Sequence, residues 1–205
     1  MIETTSSLAS IRGPVDHSVR DQIVAAATEH FTHYGYKKTT VSDIAKKIGF
    51  SKAYIYKFFD SKQAIGEVIT TQCLDAIVAE ITAAMADASS ATERLRRMFH
   101  TIVRAGMDLF FHERELYDVA AFSASENWPP AQRYLEQIRA MIKEIVLQGR
   151  AEGEFERKTP LDETVNAIFL VIFPYLNPLL LKYNLDTAEE AHLHLSNLIL
   201  RSLAP

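Results

Sequence analysis

The residues best suited to chemistry lie between Thr40 and Lys62, in the run TVSDIAKKIGFSKAYIYKFFDSK. Hydroxyls, lysines and tyrosines alternate there with aliphatic residues. Placing Ile55 and Phe59 inward fixes the rest of that helix. At about 100° per residue, Ala53, Tyr54 and Lys57 turn to the opposite face, with Lys52 and Tyr56 on its flanks. A short helix presenting this surface suits the major groove of DNA. Lys52 would donate to guanine edges, and Ala53 and Tyr54 would make apolar contacts, including with a thymine methyl. Thr40, Tyr56 and Lys62 would hold phosphates and set the register. On spacing alone a second reading stays open: a solvated helix face in an ordinary bundle.

Two short helices must position these side chains. One is expected over about 41–48, capped by Thr40 with Asp43 in a variant of the capping box. The other is expected over about 52–58, capped by Ser51. The connection Ile48-Gly49-Phe50-Ser51 has the length of a helix-turn-helix turn, with glycine at the bend. Ile44, Ala45, Ile48, Phe50, Ile55 and Phe59 would close a small core against a first helix over about 18–34, which carries Ile23, Ala27, Phe31 and Tyr34 and stops at Gly35.

Helical signals continue along the chain. A helix from Ser61 to about 86 is followed by one over about 91–111, opened by a Ser90/Glu93 capping box. Others are expected over about 115–123, 130–151, 160–182 and 187–203. No strand run or internal repeat is visible. The expectation is an all-α chain of about nine helices, divided into a flexible arm (1–17), a helix-turn-helix domain (18–66) and a helical body (67–205). In the arm, Arg12 is a candidate for a minor-groove contact.

Residues 20–66 closely resemble the DNA-binding domain of the TetR family of transcriptional regulators. The resemblance rests on Ile23, Ala27, Phe31 and Gly35-Tyr36; on Thr39-Thr40-Val41 with Ile44-Ala45; on Ile48-Gly49-Phe50-Ser51; and on Ile55-Tyr56, Phe59 and Ser61-Lys62, in that order. It implies phosphate contacts at Thr40, Tyr56 and Lys62, and base reading at Lys52, Ala53 and Tyr54, with Ser42 a further candidate. Ser51 and Lys57 complete the candidate DNA-binding set. Ala53 stands where many members have glycine, Tyr54 where a smaller residue is common, and Lys57-Phe58 where an aromatic or His pair is common. The operator sequence therefore cannot be borrowed from a relative.

The resemblance also implies that residues 67–205 bind a small-molecule effector and form a homodimer. Large apolar side chains are plentiful in this body, and stripes at helical spacing serve a core as readily as a pocket. Phe99, Ile102, Asp108, Phe110, Tyr117, Phe122, Trp128, Phe169 and Phe173 are the candidate pocket residues, with His112, Asn166 and Asn177 as further polar candidates. The effector would be apolar or aromatic, since such pockets are mostly apolar with few polar groups. The last two helices suit dimerisation. Residues 163–181 are apolar nearly all round, and Leu195, Leu198, Ile199 and Leu203 form a stripe. A twofold dimer would read a pseudo-palindrome with half-sites about 34–36 Å apart or a multiple of that.

Composition narrows the function classes. The chain has 205 residues, 48% of them hydrophobic, with seven Gly, seven Pro and one Cys. That suits a globular core in a reducing compartment and excludes a disulfide or cysteine-zinc framework. Net charge is −4, unevenly placed: residues 1–65 carry more basic than acidic side chains, and the remainder the reverse. The longest apolar stretch, Ala167–Leu181, is interrupted by Pro174, Asn177 and Pro178, so a core helix is expected rather than a membrane span. The expected location is cytoplasmic. No nucleophile constellation, phosphate-cradling loop or HExxH appears. His30/His33 and Glu189/His192 share helical spacing but do not make a closed metal site. Neither enzyme nor metal nor cofactor is expected. The reading is a DNA-binding regulator, a repressor released from its operator by a ligand, with an efflux or detoxification operon as the family-level expectation. The alternative is a helical ligand-binding or adaptor protein without specific DNA binding.

Overall fold

The computed structural model describes residues 13–205, so Arg12 and the expected arm up to residue 12 lie outside the described residues. Among the described residues there are ten helices and no strand: α1 (Gly13–Tyr34), α2 (Val41–Lys47), α3 (Lys52–Ile55), α4 (Lys62–Met85), α5 (Ala91–His112), α6 (Arg114–Ser125), α7 (Pro129–Glu152), α8 (Leu161–Leu176), α9 (Pro178–Leu181) and α10 (Leu185–Ser202).

Three boundaries differ from expectation. α1 starts at Gly13, so residues 13–17 are helical rather than part of a flexible arm. Pro14 does not oppose this, because proline in a first helical turn removes no intrahelical hydrogen bond. The regular part of α3 is four residues, and the chain continues to Phe59 in turns closed by Phe58 N–H and Phe59 N–H on the Ile55 carbonyl. The single helix expected over 160–182 is two. Pro178 cannot donate, the ladder ends at Leu176, and Asn177 restarts it by accepting the Leu179 N–H at 2.8 Å. Pro174 is accommodated inside α8.

Side-chain caps set the starts of α2, α3, α4, α5 and α9. Ser61 accepts from Ala64 N–H and begins α4. Ser90 accepts from Glu93 N–H and begins α5, but the reciprocal bond of the expected box goes elsewhere: the Glu93 carboxylate takes the N–H and hydroxyl of Ser89. The two free N–H groups of the first α5 turn, on Ala91 and Thr92, are bound by the carboxylate of distant Glu154, at 2.9 and 3.0 Å.

The buried side chains form two clusters. The body cluster joins α4, α5, α7, α8 and α10 around Phe99, Ile102, Ile138, Ile142 and Ile172. The head cluster joins α1 to α4 around Ile23, Ala27, Phe31, Ile44, Ile55 and Ile65, and it also takes in Val119 of α6 and Trp128. The head does not close its core within residues 18–66. α4 runs from one cluster into the other. By length and composition it is the one described helix apolar enough to cross a membrane, but here it packs on α1, α5, α6 and α7.

Candidate nucleic-acid interface

The turn between α2 and α3 is built by two local devices. Gly49 takes φ +70°, a left-handed conformation that costs a side-chain-bearing residue energy. Phe50 N–H then bonds back to the Ala45 carbonyl at 2.9 Å. Ser51 caps α3 by accepting the Tyr54 N–H at 3.1 Å. The result seats Ile55 and Phe59 inward, both buried, as the periodicity requires. Ile44 and Ala45 are buried beside them, and Ile48 and Phe50 pack against the cluster half-buried.

Opposite this seam, Lys52, Ala53, Tyr56 and Lys57 are exposed, and so is Ser42 of α2. Lys52 Nζ lies 5.8 Å from the Tyr56 ring centroid, and Lys57 Nζ lies 5.6 Å from that of Tyr54. The ion pairs among the described residues involve neither lysine. Tyr54 is less free than expected. It is half-buried, edge-on to Phe50 and Phe58 with centroids 5.0 and 5.3 Å away. Its ring packs with Phe50 and Phe58 on the outer side of α3.

Two of the expected phosphate contacts are already engaged. The Thr40 hydroxyl donates to Asp43 Oδ2 at 2.7 Å and accepts the Asp43 N–H, while Thr40 N–H donates to the same carboxylate at 2.8 Å. The box forms with aspartate in place of the longer glutamate, and these bonds hold the Asp43 carboxyl below its ordinary range. Lys62 Nζ donates to the carbonyls of Tyr36 and Thr39 at 2.9 and 3.0 Å and sits 4.2 Å from the Tyr36 ring centroid. Burial pulls its ammonium below the usual lysine range. Lys62 ties the loop after α1 to the start of α4, which leaves Tyr56, Lys52 and Lys57 as the freer groups.

Sequence reasoning missed Arg20. Its guanidinium donates to the Phe58 carbonyl at 2.6 Å and lies 4.3 Å from the Phe59 ring centroid. It satisfies a carbonyl at the end of the α3 turn, and only the spatial approach of α1 to that turn reveals it. Lys47 likewise pairs with Glu29 and holds α2 on α1.

The candidate pocket residues do not surround one cavity: Phe99, Ile102, Phe110, Tyr117, Phe169 and Phe173 pack in or against the body core, apart from Phe122 and Trp128. Phe122 and Trp128 belong to the joint between head and body, packed with each other and with Tyr36 at centroid distances of 5.0 to 5.5 Å. Burial pushes the Tyr36 hydroxyl up to about 12. Phe99, Ile102 and Phe169 are core, and Phe173 packs half-buried on Phe169. Phe110 stacks edge-on with Tyr117, whose hydroxyl donates to the Pro178 carbonyl across the α8–α9 break. Asp108 is exposed and paired with Arg104, Asn166 accepts from Arg139, and His112 lies against the Asp108 carbonyl. Instead, a small apolar cavity of about 40 Å³ sits beside that break, lined by Leu74, Ala120, Ala124, Tyr134, Leu135 and Asn177 among others. A wider open cleft of about 360 Å³ runs between α1, α4, α5 and α6, past Cys73, Glu80 and Asp108.

The expected stripe on the last helix also divides. Ile199 and Leu203 are buried inside the chain, whereas Leu198 is 62% exposed. Leu193 of the same helix and Leu170 of α8 are exposed too, at 52% and 61%. α8 and α10 therefore each show an uncovered apolar edge. Among the described residues no group of three or more His, Cys, Asp or Glu side chains is placed to hold a metal ion.

Comparison with known proteins covers both halves of the chain. Residues 23–68 match the family model of bacterial regulatory proteins of the tetR family, and residues 91–194 match that of the tetracyclin repressor-like C-terminal domain. The biofilm operon negative transcriptional regulator IcaR of Staphylococcus aureus strain Newman is 40% identical over 57 residues, which is 28% of this chain and 31% of IcaR. The match thus spans about a third of that relative's length. The transcriptional repressor KstR2 of Mycolicibacterium smegmatis is 28% identical over 152 residues, 71% of each chain. Among solved structures, the fatty acid degradation regulator FadR of Bacillus halodurans superposes with a TM-score of 0.67 at 20% identity, covering 93% of this chain and 97% of FadR. KstR2 of Mycobacterium tuberculosis superposes with a TM-score of 0.57 at 19% identity, covering 91% and 95%.

Proposed function

The chain belongs to the TetR family of bacterial regulatory proteins, and from that premise we propose that it is a homodimeric transcriptional repressor released from a pseudo-palindromic operator by an apolar small molecule. The observation that carries the DNA-binding part is the outward face of α3. Lys52 and Ala53 on α3, and Tyr56 and Lys57 on the turns that follow it, are exposed on a segment whose inner side is locked by buried Ile55 and Phe59. Two uncompensated lysines beside tyrosine hydroxyls have a clear partner in the phosphate backbone and base edges of a major groove. Lys52, Ala53 and the edge of Tyr54 read bases. Tyr56 and Lys57 hold phosphates. Thr40 and Ser42 flank them at the start of α2, and Ser51 and Lys62 shape the reading surface.

The uncovered apolar edges of α8 and α10 supply the dimer contact and set the spacing of two heads. Effector control runs through α4, which enters both clusters. The effector enters at the cavity beside the α8–α9 break, which must widen to admit it. The widening moves α6 and α4, and with them the joint at Tyr36, Phe122 and Trp128. A coupling of about 1–3 kcal/mol changes operator affinity about 5–150-fold, and DNA weakens effector binding by the same factor.

The test is binding of the purified protein to its own upstream intergenic DNA at several salt concentrations, against scrambled competitor. Tight, competitor-resistant binding supports the reading. Weak, sequence-blind binding at every salt concentration opposes it and favours a helical ligand-binding protein.

A further inference from the structure

One pair of side chains lies outside the residues assigned above to DNA reading, dimer contact and effector control. His100 of α5 and His192 of α10 meet across the interface between those helices, with His100 Nδ1 3.1 Å from His192 Nε2. Their ring centroids are 4.6 Å apart and their planes inclined by 58°.

A hydrogen bond and a shared metal ion both give so short a separation. In a collinear hydrogen bond the N–H of one ring points along the lone pair of the other, and an N···N distance near 3.1 Å then places the ring centres about 5.4 Å apart. On a shared metal ion both lone pairs converge on one point about 2.0–2.1 Å from each nitrogen. At bond angles of about 90–110° that puts the nitrogens about 2.9–3.4 Å apart and the ring centres about 4.5–5.2 Å apart. The observed pair of distances falls within the second set; a strongly bent hydrogen bond between the tilted rings fits it as well, and metal titration separates the two.

We propose that His100 and His192 are two ligands of a divalent late transition-metal ion that bridges α5 and α10. Imidazole nitrogens select zinc, nickel or copper over calcium or magnesium. His100 is exposed and gives the ion access from solvent. His192 Nδ1 is buried without a hydrogen-bond partner, so Nε2 is the nitrogen this ring presents to a ligand. Among the described residues no third side chain completes the set. The remaining positions are open to water or an exchangeable ligand, as in sites that bind reversibly. The ion would join α5 to the helix that carries exposed Leu193 and Leu198.

The experiment uses the metal-stripped full chain, titrated with Zn²⁺ and separately with Ni²⁺ against a chromophoric chelator, with thermal melts in parallel. The expected result is saturable binding of one ion per chain that raises the melting temperature. Affinity falls about tenfold or more in His100→Gln and in His192→Gln. It is unchanged in His194→Gln, whose exposed ring lies on the same helix. Because His100 is exposed, His100→Gln tests the site without threatening the fold. Absence of saturable binding overturns the proposal, and so does binding that survives His100→Gln. Neither outcome depends on DNA binding, so failure here leaves the regulatory reading standing.

Discussion

Gly66 lies directly under the indole of Trp128: a Cβ at Gly66 would fall 2.9 Å from two of the ring carbons and 3.0 Å from the Tyr36 ring. This close approach lets the first turns of α4 pack on the loop between α6 and α7. It also seals the head cluster with a residue from the body.

Gly66→Ala is therefore expected to destabilise the protein, although alanine normally gains about 1 kcal/mol over glycine inside a helix. Overpacking a filled site costs about 1–3 kcal/mol, and here a buried indole is what must move. A lowered melting temperature in Gly66→Ala checks this, and an increase would show that the joint is slack.

The Glu154 carboxylate gives a pH-dependent prediction. Burial is the largest influence on it and raises its pKa, but hydrogen bonds from Thr92 and Ala91 together outweigh burial and leave the pKa lowered. A carboxyl with a depressed folded-state pKa stabilises fully above its unfolded-state pKa and loses that contribution as pH falls through the folded-state value. Glu154→Ala should cost about 0.5–2 kcal/mol near neutral pH, the usual size of a helix-capping loss. The difference from the parent should vanish in acid, below the ordinary carboxylate range. Melting curves of both proteins across pH check it, and a constant difference would contradict it.

The head was largely legible in the sequence because its determinants are local. Gly35 and Gly49 end helices, Thr40, Ser51 and Ser61 begin them, and Ile55 with Phe59 point inward at a spacing that leaves little choice. The body was legible as helices but not as a site. Phe122 and Trp128 have the composition of pocket residues, yet their partner is Tyr36, some ninety residues away, and no periodicity encodes that meeting. The clip that Lys62 forms is not legible, because its two carbonyl partners are backbone atoms without a sequence signature. Pro174 and Pro178 both signal an interruption of this helix, but only Pro178 ends the ladder, because Pro174 is tolerated within α8.

Lysines of the head should divide by role. Lys62→Ala removes the donor for two part-buried carbonyls and should lower stability by about 1–3 kcal/mol. Lys52→Ala and Lys57→Ala should leave the melting temperature nearly unchanged. If Lys62→Ala melts like the parent, the clip between Tyr36, Thr39 and α4 is not structural.

Leu170→Asp and Leu198→Asp place a charge on the uncovered edges of α8 and α10. Each side chain is mostly exposed in the single chain, so the fold should survive and the dimer should dissociate. Sedimentation velocity should show a monomer that retains full helicity. A dimer of unchanged stability would place the interface elsewhere.

The most direct test of the central claim measures affinity for the upstream DNA and for scrambled DNA over a range of salt, for the parent and for Lys52→Ala with Tyr54→Ala and Lys57→Ala separately. The account predicts that the Lys52/Tyr54 double variant loses specific affinity far more than non-specific affinity. Lys57→Ala should lose both about equally, with a salt slope smaller by about one. Equal loss of specific and non-specific binding in the double variant, or an unchanged slope in Lys57→Ala, would contradict α3 as the reading surface.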